Sequence, residues 1–349
     1  DRLSDKYSLA VVPVGGAQAI PEEVDALFVL GPQRSFDNRS QYHLDQFLMR
    51  GGALAVFLSN TKADMRALRP QSVYHGLEAL LGHYGVQVNR DLVVDRKQNG
   101  VMRFPVRQGR YVVQMPINYA LIPKATELDE ASVIVKDLDT MLFPFVSSLT
   151  LADPMPPEVS ARVLASSSDA SGRIKGVRSI SPNSFQVTSP GEEIGSWPLL
   201  VSLVGEWRSY FAEREIPKPP AETPFGDAVV ESEDPSTKLR QSIPTRLVVS
   251  GSADFVANNI PFMLNLTDWM AQDEALIGIR SKIIQIPVID PLEADELRNW
   301  KMLNLFVGPV LLLVMGVLRW SIRRRTAGMS RQTPEPPGNL GDSATSGAT

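Results

Sequence analysis

The stretch that decides the fold spans residues 25–58 and reads DALFVLGPQRSFDNRSQYHLDQFLMRGGALAVFL. It opens with a continuous apolar run at 26–30, which ends at a Gly-Pro pair and predicts a buried strand followed by a turn. Residues 40–50 place apolar side chains on one helical face, and the Gly-Gly pair that follows predicts the helix C-cap. A second buried strand is predicted at 53–58. One complete β–α–β unit is therefore visible in about 35 residues.

The same patterns recur along the rest of the chain. Helices are predicted at 72–84 and 259–271. Short apolar runs predict four more strands, at 133–135, 162–166, 199–204 and 246–250. This alternation predicts an α/β fold, a mostly parallel sheet flanked by helices. Residues 213–244 are charged and proline-rich, which predicts an exposed loop.

The C-terminal region contains a long apolar run, Met302 to Leu318, with one polar residue and no charge. With its flanking Trp and basic residues it matches the roughly 30 Å of a hydrocarbon core, so a transmembrane helix is predicted over 300–322. A buried core helix is the alternative. Residues 323–349 begin with three arginines and continue as a Gly-, Ser-, Thr- and Pro-rich tail, which predicts a basic and then disordered cytoplasmic end.

The charge of the chain changes at the same boundary. Residues 300–349 hold six Lys or Arg and two acids, a charge of +4, whereas residues 1–299 hold 29 basic and 37 acidic side chains, a charge of −8. Basic residues flank the cytoplasmic side of membrane spans. We therefore predict that residues 1–299 form an α/β domain on the periplasmic or extracellular side of the inner (cytoplasmic) membrane. Because residue 1 is Asp rather than Met, we also expect an upstream segment.

Composition and motif spacing argue against most enzyme classes. The chain has no cysteine, which excludes disulfides, thiolate metal sites and cysteine nucleophiles. Its three histidines, His43, His75 and His83, have no ligand spacing, and the first two are predicted to be ordinary surface or half-buried residues. The glycine signatures of P-loop, dinucleotide and serine-hydrolase sites are absent, and a net charge of −4 disfavours nucleic acid. We predict no enzyme, no cofactor and no metal site.

The best polar candidates follow predicted strands. Ser252 and Asp254 come after the strand at 246–250, and Arg34 comes after the first strand. In open α/β sheets, ligands bind beyond the carboxyl ends of strands. These three residues are therefore candidate ligand or partner contacts. The alternatives are that Ser252 and Asp254 cap the next helix, that Arg34 belongs to a plain turn, or that Ser167, Asp254 and a histidine form a hydrolase site.

Several segments carry a family resemblance through their order. They are ALFVLGP at 26–32, LDQFLMRGGALAVFL at 44–58, YGVQVN at 84–89, LVGEWRSYF at 203–211, RLVVSGSADF at 246–255, NLTDWMA at 265–271 and the apolar segment at 301–325. In this order they resemble the auxiliary subunit of an ABC transporter family linked to gliding motility (GldG-like).

The resemblance implies a non-enzymatic, membrane-anchored extracytoplasmic domain, similar to flavodoxin or glutamine amidotransferase domains. The implied partners are an ABC permease, a separate ATPase subunit and the lipid bilayer, with a homo-oligomer left open and no nucleic acid. The alternative function is a membrane-tethered extracytoplasmic domain that binds a sugar or a peptide.

Overall fold

The computed structural model describes residues 7–14, 19–188, 191–218, 235–271 and 313–320. The strands are β1 (Ala26–Leu30), β2 (Ala53–Phe57), β3 (Thr61–Asp64), β4 (Arg69–Ser72), β5 (Val86–Val88), β6 (Leu92–Asp95), β7 (Asn99–Gln108), β8 (Tyr111–Ala125), β9 (Met141–Leu142), β10 (Leu149–Leu151), β11 (Val159–Ser166), β12 (Ser171–Ile174), β13 (Glu193–Ile194), β14 (Pro198–Gly205) and β15 (Thr245–Ser250). The α-helices are α1 (Asn38–Met49), α2 (Glu78–His83) and α3 (Ile260–Ala271). The chain divides into two units, Asp1–Gly278 and Ile279–Thr349.

The central sheet of the first unit has five strands in the order β1-β2-β15-β14-β11. Strands β1, β2 and β15 are parallel, whereas β14 is antiparallel to both of its neighbours. The smaller sheets, β5 with β10, β6 with β12 and β13, β3 with β4, and β7 with β8 and β9, are antiparallel. The prediction of a mostly parallel sheet is therefore wrong. Strand β14 is largely buried, and an apolar run in a covered sheet carries no information about strand direction.

Helices cover both faces of the central sheet. Leu44, Phe47 and Leu48 of α1 pack on one face together with Leu80 and Leu81 of α2. On the other face, α3 packs through an aromatic cluster, which we define as Phe57, Phe143, Phe255 and Phe262. The alternation of apolar side chains along β1, β2 and β15 thus supplies two separate cores, one on each side of the sheet.

Helix α1 has well-defined ends. A side-chain oxygen of Asp37 accepts a hydrogen bond of 2.7 Å from the backbone of the first turn. At the other end, Gly51 N–H donates to Leu48 O and Gly52 N–H donates to Phe47 O, both at 3.0 Å. Gly51 has a φ of +97°, which completes a Schellman motif and confirms the predicted glycine cap.

The segment between β6 and β11 departs most from the sequence-based expectation. Strands β7 and β8 pair into a long antiparallel hairpin, with the two-residue turn Gly109-Arg110 between Gln108 and Tyr111. No element was predicted there, although a Gly-X turn between apolar runs is a hairpin signal. The predicted strand at 133–135 is wrong, because those residues form turns, and the predicted helix at 72–84 is reduced to α2. The other predicted strands and the helix at 259–271 are confirmed within a few residues.

The predicted C-terminal transmembrane helix at 300–322 is not found. Residues 300–312, 321 and 322 lie outside the described part of the chain, and residues 313–320 form a helical segment. Among the described residues, none of the helices has the length and apolar character needed to cross a bilayer. The tail at 323–349 and loop residues 219–234 also lie outside the description.

Candidate functional site

The loops that follow the three parallel strands enclose a pocket of about 440 Å³, which we call the strand-end pocket. Residues 31–33 follow β1, residues 59–62 follow β2 and residues 253–257 follow β15. Since β1, β2 and β15 are parallel neighbours, their carboxyl ends meet at one edge of the sheet. The pocket therefore lies beyond the carboxyl ends of parallel strands, where ligands bind in open α/β sheets.

Two opposite charges line the strand-end pocket. Asp254 comes from the loop after β15, and burial raises the pKa of its carboxyl, an effect that the charge of Lys62 opposes. Lys62 lies in β3, the strand that follows β2, and its Nζ donates a hydrogen bond of 2.9 Å to Gln33 Oε1. Within the described part of the chain, Lys62 and Asp254 form no direct ion pair. The ammonium group of Lys62 is thus held by the loop after β1.

His75 also lines the strand-end pocket, with a side chain that is 1% exposed. Its Nε2 lies 3.1 Å from Ser59 O. A carbonyl oxygen only accepts, so Nε2 donates and Nδ1 of a neutral ring is left as an acceptor. Among the described residues, His75 Nδ1 has no hydrogen-bond partner. The sequence suggested an ordinary surface or half-buried histidine at this position, and this part of the prediction is wrong.

The predicted contact residues do not all reach this pocket. Asp254 lines it, whereas Arg34 is exposed beside the loop after β1. Ser252 is buried, and its hydroxyl donates a hydrogen bond of 2.7 Å to Pro144 O. That bond ties the loop after β15 to a neighbouring loop, so Ser252 is neither a helix cap nor part of the pocket lining.

The components of the alternative hydrolase site are not assembled. Ser167 Oγ is 2.5 Å from Ser171 Oγ and accepts a hydrogen bond of 2.9 Å from Trp197 N–H. It does not line the pocket that contains Asp254 and His75. Within the described residues, no group of His, Asp or Glu side chains has the geometry to hold a metal ion.

Asp45 is a buried polar centre that the sequence-based reasoning missed. It accepts hydrogen bonds from Tyr84 Oη at 2.6 Å, Ser209 Oγ at 2.7 Å and Tyr210 N–H at 2.8 Å. Burial, followed by the charge of Asp45, raises the pKa of Tyr84 well above its ordinary value. The available signal was the helical period, because Asp45 lies three residues from both Tyr42 and Leu48 on the buried face of α1. These hydrogen-bond donors are structural, and through Ser209 and Tyr210 the Asp45 carboxylate joins α1 to the segment after β14.

Asp91 has a similar structural environment. It accepts hydrogen bonds from Ser148 N–H at 2.9 Å and Ser148 Oγ at 2.7 Å. Burial raises the pKa of this carboxyl, and the Ser148 hydrogen bonds and the charge of Arg173 oppose that rise. Its donors come from the loop before β10, so Asp91 holds two loops together.

Comparison with known proteins identifies the family. The sequence model of the family described as "ABC-type uncharacterized transport system", an auxiliary-component family, matches residues 1–276. The chain belongs to this family.

Individual relatives of this chain are distant in sequence. An uncharacterized protein of Borreliella burgdorferi is 22% identical over 323 residues, which cover 88% of this chain. The chain spans 57% of the length of that relative. A solved structure titled "mmIFT52 N-terminal domain" matches with a TM-score of 0.39 at 14% identity, covering 78% of this chain and 88% of that one.

Proposed function

We propose that this auxiliary component is non-catalytic and acts through protein contacts with the permease assembly, and that the main contact surface is the β7–β8 hairpin. The single observation that carries the proposal is the exposed apolar surface of this hairpin on a protein of a transport-system family. We call residues 99–125 the hairpin arm.

The base of the hairpin arm is anchored in the body. Phe104 and Tyr119 are buried there, with ring centroids 5.1 Å apart in an edge-on arrangement. Tyr119 Oη also donates a hydrogen bond to Ile180 O. A fixed base supports a docking role, because a pre-positioned element loses less conformational entropy on binding.

The outer half of the hairpin arm is exposed and apolar. Tyr111 is 76% exposed and Val112 is 67% exposed, and the adjacent Val113 is also solvent-accessible. Single exposed apolar residues are ordinary, whereas a contiguous set on one element marks an interaction site. Tyrosine is also enriched among the residues that contribute most to protein–protein binding.

The charge of the hairpin arm narrows the choice of partner. Residues 99–125 contain Arg103, Arg107, Arg110 and Lys124 and no acidic residue, whereas residues 1–299 as a whole are acidic. A surface that complements this arm is apolar and carries acidic groups. A partner subunit of the transport system with an acidic docking patch fits that description.

The edges of the arm indicate contact through side chains. Pro105 faces Gln114, and Pro116 faces Arg103 across the hairpin. Proline has no N–H to donate and hinders the addition of another strand at an open edge. The arm is therefore suited to docking by its side chains and not by extending a sheet.

Co-purification of the full chain with co-expressed permease and ATPase subunits tests the proposal. We expect the wild-type chain to retain both subunits, and a Tyr111→Ser/Val112→Ser variant to lose at least nine-tenths of the retained permease. The matched control is Tyr74→Ser/Val187→Ser, which replaces the same residue types at exposed positions outside the arm. Retention of the permease by the arm variant, or equal loss with the control, would contradict the proposed docking surface.

The proposed location is the outer side of the inner membrane, where contacts with the permease retain the chain. The acidic charge of residues 1–299 and the family resemblance support this location. Because the chain has no cysteine, a Lys97→Cys variant gives a single labelling site at an exposed position. We expect a membrane-impermeant maleimide to label it in cells with a permeable outer envelope and an intact inner membrane, and labelling only after lysis would refute the location. The links to gliding motility and to a homo-oligomer stay predictions.

A further inference from the structure

The strand-end pocket contains one positive side chain, Lys62, and one negative side chain, Asp254, and these two do not form an ion pair in the described structure. Lys62 Nζ donates a hydrogen bond of 2.9 Å to the neutral side chain of Gln33. Asp254 feels the charge of Lys62 without forming an ion pair with it in the described structure. Charged groups in a cleft bind most strongly to ligand groups of opposite sign, through charge-assisted hydrogen bonds. A ligand with one positive and one negative group would satisfy both side chains at once.

His75 supplies a further acceptor in the same pocket. Its Nε2 is committed to Ser59 O at 3.1 Å, and Nδ1 has no partner among the described residues. Leaving a buried acceptor unpaired costs free energy, which a hydrogen-bond donor on a ligand would recover. An ammonium group has three donors, so one that binds the Asp254 carboxylate keeps donors for a second acceptor of the pocket lining.

The remaining lining fits a ligand with a short apolar side chain. Ser59 Oγ accepts a hydrogen bond of 2.9 Å from Ala253 N–H, which leaves its own hydrogen available to a ligand oxygen. Val73, Val256 and Ala257 provide apolar wall. The volume of about 440 Å³ lies within the usual range for small-molecule sites.

We propose that the strand-end pocket binds a zwitterionic amino acid or short peptide, with its ammonium group on Asp254 and His75 and its carboxylate on Lys62 and Ser59. The proposal goes beyond the docking function, and neither depends on the other. It gives the chain a second role, the binding of a small zwitterion. Sugars, which lack the pair of opposite charges, are disfavoured ligands of this pocket.

Calorimetric titration of the full chain tests the chemistry without any substitution. The probe is alanyl-alanine, and the matched probes are N-acetyl-alanyl-alanine, which lacks the ammonium group, and alanyl-alanine amide, which lacks the carboxylate. We expect measurable binding of alanyl-alanine and at least tenfold weaker binding of each matched probe. Equal binding of all three peptides would overturn the proposal, as would binding of glucose in place of alanyl-alanine.

Substitutions then locate the ligand. Asp254→Asn and Lys62→Met should each weaken alanyl-alanine binding at least tenfold, and Asp254→Asn should leave the affinity for N-acetyl-alanyl-alanine nearly unchanged. The matched controls are Asp169→Asn and Lys97→Met, which neutralise an exposed ion pair with an N–O distance of 3.4 Å outside the pocket. Unchanged affinity in both pocket variants, or the same loss in the controls, would place the ligand elsewhere and overturn the assignment. Retained permease co-purification in the pocket variants would leave the docking function intact.

Discussion

The central sheet and the hairpin arm are built from the same kinds of residue and use them in opposite ways. Strands β2 and β15 bury nearly every side chain between helices on both faces. The distal halves of β7 and β8 also carry valine and tyrosine, yet these side chains face solvent. An apolar pattern thus predicts a strand, but it does not predict whether the side chains are buried in a core or exposed at a surface that binds a partner. Substitutions in the two regions should have opposite effects on stability and on partner binding.

Phe57→Ala should give the largest loss of stability. Phe57 is fully buried in β2, and its ring centroid lies 5.2 Å from that of Phe255 and 6.1 Å from that of Phe262. Truncation leaves a cavity in the aromatic cluster, and we expect a loss of about 3–5 kcal/mol in the free energy of unfolding. Urea unfolding of the full chain, followed by circular dichroism, measures it. A loss below about 1 kcal/mol would mean that the helix over this face is not packed as described.

Asp45→Asn should give the next largest loss. The amide of asparagine cannot accept all the hydrogen bonds that Tyr84, Ser209 and the backbone of Tyr210 donate to Asp45. We expect a loss of about 3 kcal/mol, since hydrogen bonds to a charged group contribute roughly 1.5–3 kcal/mol each and one acceptor oxygen is kept. The same unfolding assay applies, with the exposed Asp169→Asn as control, for which about 0.5 kcal/mol or less is expected. An equally small effect at Asp45 would show that the groups that donate to Asp45 form hydrogen bonds to water in the variant.

The buried tyrosines predict how stability depends on alkaline pH. Burial raises the pKa of Tyr119 at the base of the arm, as it does for Tyr84. With the folded pKa above the unfolded value of about 10, the stabilisation is complete below pH 10 and is lost as the pH rises further. Each tyrosine contributes a slope of at most about 1.4 kcal/mol per pH unit. Tyr119→Phe should remove one such contribution.

Unfolding by urea at pH 9, 10 and 11 measures that slope. Tyr111→Phe serves as the matched substitution at the exposed tip of the same arm. If Tyr119→Phe and the wild-type chain lose stability equally between pH 9 and 11, Tyr119 is not protected in the folded state and the arm base is less firmly packed than described.

The sequence predicted strands and helices that show a local apolar pattern. It missed features that depend on contacts between residues far apart in the chain. The unit at 25–58 was found because its strands, helix and glycine cap are local signals, and β1, α1 and β2 confirm it. Strand direction was not predictable, because β14 pairs with β15 across about 40 residues and the apolar run at the centre of each strand fits either direction. Of the residues that line the strand-end pocket, Asp254 was named from the sequence as a candidate contact. Lys62 and His75 were missed as pocket residues, since only the fold brings them beside Asp254.

Tyr111→Ser/Val112→Ser should have the smallest effect on stability and is the sharpest test of the difference between the two regions. Both side chains are already exposed in the folded chain, so their truncation removes little buried area, and we expect a change within about 0.5 kcal/mol. The same variant should lose most of its partner retention, which Phe57→Ala should not do at temperatures where it remains folded. A loss of more than about 1 kcal/mol in the arm variant would mean that the arm packs against the body in solution. The exposed apolar surface would then be an incomplete core, and the case for a docking arm would fail with it.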